Sequence, residues 1–140
     1  MEEKAEFKKI DKSDKRMYGP RGLLVCGYPV EERESFLELV KNTLDDIPVI
    51  FGVNTDINIT LGELYNHDHK EGMADPSDLP RTVIMSGLSQ NELHGLMGAY
   101  RGKDLVQQLW ATLTPVSEGW KLKALLIELL AEAEKMRKKK

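Results

Sequence analysis

The chain has 140 residues, 41% hydrophobic and 31% charged, enough for one domain with a core of its own and not a composition that favours wholesale disorder. One cysteine excludes an intramolecular disulfide and a multi-thiolate metal site, and no apolar run approaches a membrane span, so a cytoplasmic protein is expected. Net charge is −3, but Lys135, Arg137, Lys138, Lys139 and Lys140 supply +5, so the body carries −8 and lacks the basic face that nucleic-acid binding requires.

Met1 to Arg16 holds eleven charged residues of mixed sign and no secretory pattern, so residues 1–17 read as a flexible leader. After Tyr18-Gly19-Pro20, the run GLLVCG (22–27) predicts a short apolar strand. Pro29 then suits the first turn of a helix whose apolar stripe is Phe36, Leu37, Val40 and Leu44, with Glu31, Glu32 and Glu34 near the positive end of its dipole. PVIFGV (48–53) predicts a second strand. From Asn54 to Leu79 the chain turns polar; Leu61, Leu64 and Tyr65 suggest one short helix, and DHKEGMADPSDLP reads as a loop.

Residues 81–120 are the most sharply punctuated. Val83 to Ser86 predicts a strand, and Gly87 a turn. Ser89 is placed as N-cap of the next helix, with Glu92 completing a capping box and Leu88 and Leu93 a hydrophobic staple. Leu93, Leu96, Met97 and Tyr100 form a single stripe, Leu109 to Leu113 returns as a strand, and Thr114-Pro115 ends it. From Trp120 to about Arg137 a long helix carries more leucine than one buried face needs, which points to self-association through it; other partners are unknown.

The halves align at an offset of sixty residues. Leu24 to Tyr28 falls on Ile84 to Leu88, and Val49 to Val53 on Leu109 to Leu113, which suggests two βαβα repeats in one domain (residues 18–134, halves 21–66 and 81–134), followed by a basic tail at 135–140. Continuously apolar strands predict an α/β fold, a small open, mostly parallel four-stranded sheet with helices on both faces. The alternative is a ferredoxin-like α+β sandwich with an extra C-terminal helix.

No catalytic set assembles. Cys26 sits where thiol phosphatases place a nucleophile, but position 32 is glutamate instead of arginine, and a buried core cysteine is expected. Ser86, Ser89 and His94 lack a nucleophile elbow. The one dense group of metal-ligand types is His67, Asp68, His69, Glu71 and Asp75; set against a solvated polar loop, it offers a metal-dependent enzyme as the alternative function. Ligands of a parallel sheet gather beyond the strands' carboxyl ends, so Gly27, Tyr28, Asn54, Gly87, Ser89, Thr114 and Ser117 form the expected rim, with Trp120 as its lid or as a core anchor. No cofactor is implied.

The segment V-I-M-S-G-L, its following helix, then A-T-L-T-P-V-S-E-G-W and a leucine- and glutamate-rich helix resemble domain-of-unknown-function family 3783 over about residues 81–134. Ser86-Gly87, Thr114-Pro115 and Trp120 carry the likeness; asparagine commonly stands in the family where this chain has Ser117. The resemblance implies a bacterial, cytoplasmic protein and no activity. The leading expectation is a non-enzymatic binding, regulatory or protein-interaction domain.

Overall fold

The computed structural model describes residues 15–44, 46–103 and 107–138, so most of the expected leader and the last two lysines of the basic tail lie outside the described residues. In chain order the elements are β1 (Gly22–Cys26), α1 (Val30–Leu44), β2 (Val49–Gly52), α2 (Leu61–Leu64), β3 (Thr82–Ser86), α3 (Gln90–Gly102), β4 (Leu109–Thr112) and α4 (Leu122–Lys138). Short 3-10 turns, Asn54–Asp56 and Ser117–Gly119, lead into α2 and α4. Ser89 caps α3, and its reciprocal bonds with Glu92 form the expected capping box.

The four strands form one mixed sheet in the order β2-β1-β3-β4. β1 and β2 run parallel, as do β3 and β4, but the two central strands are antiparallel, with Gly22 opposite Ser86 and Cys26 opposite Thr82. The sheet is therefore not mostly parallel. Nor is it ferredoxin-like, because β2 pairs directly with β1 and no strand splits that βαβ unit.

The reason lies in the segment read as a loop. After α2 the chain reaches the start of β2, where Lys70 N–H donates to the Val49 carbonyl, and climbs along the outer edge of that strand to Glu71, whose carbonyl accepts from Phe51 N–H. It arrives beside Gly27, past the finish of β1, and β3 has only one way to run. A polar stretch thus occupies a strand's place using main-chain groups and the His69 imidazole.

Both faces are covered. Leu23, Val25, Val49, Phe51, Val83 and Met85 pack beneath Phe36 and Val40 of α1 and Leu96 and Tyr100 of α3. Leu24, Cys26, Ile50 and Ile84 pack beneath Leu61 and Leu64 of α2 and Leu122, Leu125 and Leu126 of α4. Since side chains alternate between faces, a doubly covered strand needs apolar residues throughout, which accounts for GLLVC and TVIMS.

Contacts across the central strands are reciprocal. Arg21, before β1, clamps Glu92 of α3 through bonds of 2.7 and 2.5 Å; Arg81, before β3, reaches Glu32 of α1 at 2.9 Å. Leu61 N–H donates to the Trp120 carbonyl and Leu122 N–H to that of Ile59, each at 2.9 Å. Corresponding residues lie sixty apart in the central strands, where Leu24 matches Ile84, but sixty-one apart in the outer pair, where Ile50 matches Ala111. An offset of sixty would lay Phe51 on Ala111, and those two side chains face opposite sides of the sheet.

The Arg21 clamp has a pH consequence. Its hydrogen bonds hold the Glu92 carboxyl below the usual carboxylate range. A depressed carboxylate pKa adds stability above its unfolded value, and that part is lost as pH falls through the folded value. Glu92→Gln is expected to lower stability by about 1–2 kcal/mol at pH 7 and by less at pH 3, measured by urea denaturation. An equal loss at both pH values would contradict the assignment.

Candidate functional site

The antiparallel centre divides the expected rim between two ends of the sheet. Gly27, Tyr28 and Asn54 follow β1 and β2 at one end, whereas Gly87, Ser89, Thr114 and Ser117 follow β3 and β4 at the other. At the second end the polar side chains are used locally. Ser89 caps α3, and Thr114 and Ser117 bond each other through side chains and main chain at 3.0–3.1 Å. Asn54 is tied to Asp78 by two hydrogen bonds. Trp120 follows the second end, its N–H donating to the Ser117 carbonyl, and its partly buried side chain packs against the core that α2 and α4 share.

His69 is used in docking the segment after α2, and His67 pairs within that segment. His67 Nδ1 lies 2.8 Å from the Glu71 carboxylate, and His69 Nδ1 accepts the outward N–H of Val49 at 2.9 Å. Arg33 completes the attachment. Its guanidinium, 1% exposed, donates to the carbonyls of Tyr28, Gly72 and Met73 and lies over the Phe51 ring. The stretch containing Glu71 and Asp75 is thus seated on the sheet, not a free solvated loop, and among the described residues no three His, Cys, Asp or Glu side chains converge to hold a metal.

Cys26 is buried, and burial, with Asp56 adding to it, pushes its thiol up to about 12, far from a nucleophilic thiolate. Ser86 is 1% exposed; Gly19 closes over its hydroxyl so tightly that a Cβ there would lie 2.2 Å from Oγ. His94 is exposed on α3.

The densest side-chain cluster forms around Arg81, which the repeat pattern could have revealed, because arginine and glutamate recur sixty residues apart at 21 and 81 and at 32 and 92. Arg81 lies 4.0 Å above the Tyr28 ring, donates to Tyr100 Oη at 3.1 Å and pairs with Glu32. Tyr28 donates its hydroxyl to Gln108 Oε1, and burial raises its pKa, so it stays a neutral phenol. These bonds fasten the end of β1 to the start of β4. Gln108 Nε2 is buried and has no acceptor among the described residues.

Beyond Gln108 lies an open cleft. Gln107, Gln108 and Leu109 share a cleft of about 410 Å³ with Leu130, Ala133 and Arg137 of α4. Every residue of β1, β2 and β3 is buried, yet all four of β4 are only half-buried. Beyond Leu126, α4 has Ile127 58% exposed, Leu130 47% and Met136 69%. Inward, Leu109 N–H and Leu113 N–H bond to β3. The alternating groups of Trp110 and Thr112 point outward, and among the described residues nothing binds them.

A second cleft, of about 610 Å³, lies between α1 and the end of α3, floored by Tyr28, Phe36 and Leu39 and edged by Glu32, Glu38, Arg81 and Lys103. Its charged residues include the Glu32–Arg81 pair already engaged with each other.

Residues 81–136, the half containing this open edge, match the model of a family described as Domain of unknown function (DUF3783). Among curated proteins and solved structures, none matches the chain. No helix among the described residues is long and apolar enough to cross a membrane.

Proposed function

We propose that the chain is a non-enzymatic, cytoplasmic protein-interaction module, assembled from two βαβα half-units and acting through the exposed face of α4. The single observation that carries this reading is the second half of α4, where Ile127 and Leu130, one helical turn apart and so on one side of the helix, stand in solvent. Apolar side chains grouped on one surface mark association sites.

The half-unit reading rests on reciprocity. Two Arg–Glu pairs repeat at a spacing of sixty, two left-handed glycines, Gly27 and Gly87, end the two central strands, and two helix starts exchange main-chain bonds. Such an arrangement sends the ends of β1 and β2 away from those of β3 and β4, and where polar residues of the two halves do meet, Tyr28, Glu32, Arg81, Tyr100 and Gln108 are engaged with one another. Of His67 and His69, the centre of the metal-dependent alternative, His69 is taken up in seating the chain on β2 and His67 pairs with Glu71 of its own segment.

Association provides the test. Wild type should sediment above monomer mass, alone or together with a captured protein, and the double variant Ile127→Glu/Leu130→Glu should sediment as a free monomer. An α4 face that binds nothing in either setting overturns the reading.

A further inference from the structure

We infer that the partner is a second copy of this chain, joined by antiparallel pairing of β4 with β4 about a twofold axis, so that two four-stranded sheets become one of eight. This rests on the interaction reading above and names its occupant.

The two outer strands are treated differently. At β2, Val49 N–H bonds His69 Nδ1, the Val49 carbonyl accepts from Lys70, Phe51 N–H donates to the Glu71 carbonyl, and Gly72 packs over the Phe51 carbonyl, so the edge is covered by the chain that follows α2. The corresponding groups of β4 are those of Trp110 and Thr112, and they have no partner among the described residues. Helix length explains the difference. α2 stops after four residues, freeing residues 69–72 to return along the edge; α4 runs for 17, so the residues at the matching places, 130–133, are still helical. In the second half the sealing segment is spent on helix.

Unpaired edges are commonly guarded by lysine, proline or a bulge, and LWAT has none of these. Its outward groups are also self-complementary. With Ala111 on the axis, Trp110 of one copy faces Thr112 of the other in both directions, and each such pair exchanges two bonds, about four main-chain bonds in all. The same axis puts Leu109 and the neighbouring Leu130 of both copies at one seam, which would complete the burial that β4 lacks. A twofold contact of this kind is closed, giving a dimer and no fibre. The leader is a poorer occupant: Met17 and Tyr18 bond to Leu88 and Gly87, continuing the β1 side of β3, which leads away from β4.

Sedimentation of the full chain from about 1 to 100 µM is expected to show a monomer–dimer equilibrium, with Trp110 and Thr112 amides becoming at least tenfold slower in hydrogen exchange as dimer forms. Thr112→Pro removes one outward donor and no bond to β3, and should weaken dimerisation at least tenfold. Thr112→Lys, which keeps the backbone, should do the same and serves if the proline variant is not folded by circular dichroism. A leader-deleted chain should dimerise unchanged. Dimer with fast-exchanging Trp110 and Thr112 amides overturns the strand pairing while leaving the α4 interaction reading in place. A pure monomer that captures another protein through α4 also overturns the inference and spares that reading, whereas a monomer that captures nothing overturns both. Protection of the same amides in a monomer, lost on leader deletion, would give the edge to the leader and overturn the inference.

Discussion

Gly27→Ala is expected to lose more than about 3 kcal/mol of stability, a large fraction of what holds a domain of this size together. Gly27 has φ of +78°, and an added Cβ would lie 2.4 Å from the Leu79 carbonyl oxygen, 2.6 Å from Arg81 N and 2.6 Å from the Pro80 carbonyl carbon. All three are backbone atoms at the junction where the chain enters β3, and none can turn aside as a side-chain end could. Gly87→Ala meets Gly19 O at 2.7 Å and Arg21 N at 2.8 Å, the mirror of that junction, and should be comparably costly. Gly98→Ala provides the control: it sits exposed in α3 with nothing within 4 Å of a new Cβ, and should gain about 0.5–1 kcal/mol from helix propensity. Urea midpoints at constant m-value compare the three. A Gly27→Ala protein as stable as Gly98→Ala would mean that the two halves do not meet at that glycine.

Arg33→Met should cost about 3–5 kcal/mol and loosen one segment before the rest. The guanidinium is the only buried charge among the described residues and ties three carbonyls, at 2.6 to 3.0 Å, from two places in the chain. Methionine fills much of the volume but leaves those carbonyls without donors. Because two of them belong to Gly72 and Met73, limited proteolysis should cut first between residues 66 and 78. Arg33→Lys should rescue little, since a single ammonium cannot span the same fork. Uncut segment 66–78 at wild-type rates in Arg33→Met would show that His69, Lys70 and Glu71 hold the edge of β2 without it.

Elements are largely legible from local pattern. The capping box at Ser89 and Glu92 needs four residues to specify, and the apolar runs of β1 and β3 announce strands covered on both sides whatever their direction. Direction is not legible for the same reason: burial on two faces requires the same residues whether the neighbour runs with or against the strand. The segment around His69 reads as free because its contribution to the sheet is made by main-chain groups and one imidazole, which leave no apolar signature. Arg33 gives no signal on α1 because two of its partners are carbonyls some forty residues ahead, and a carbonyl is present at every position. With direction unread, the pattern implies a single rim where the molecule has two ends.

The amino-acid sequence by itself determined the number, kind and order of the elements, the two-sided core and the capping of α3, because each depends on residues within a turn or two of one another. Tertiary structure alone decided that β3 runs against β1, that Tyr28 and Ser89 stand at opposite ends, and that β2 has a sealed edge while β4 has an open one. Those outcomes turn on where a polar connection lays its backbone. Main-chain hydrogen bonds are available to every residue type, so the choice among them is made by geometry in space and not by side-chain chemistry along the chain.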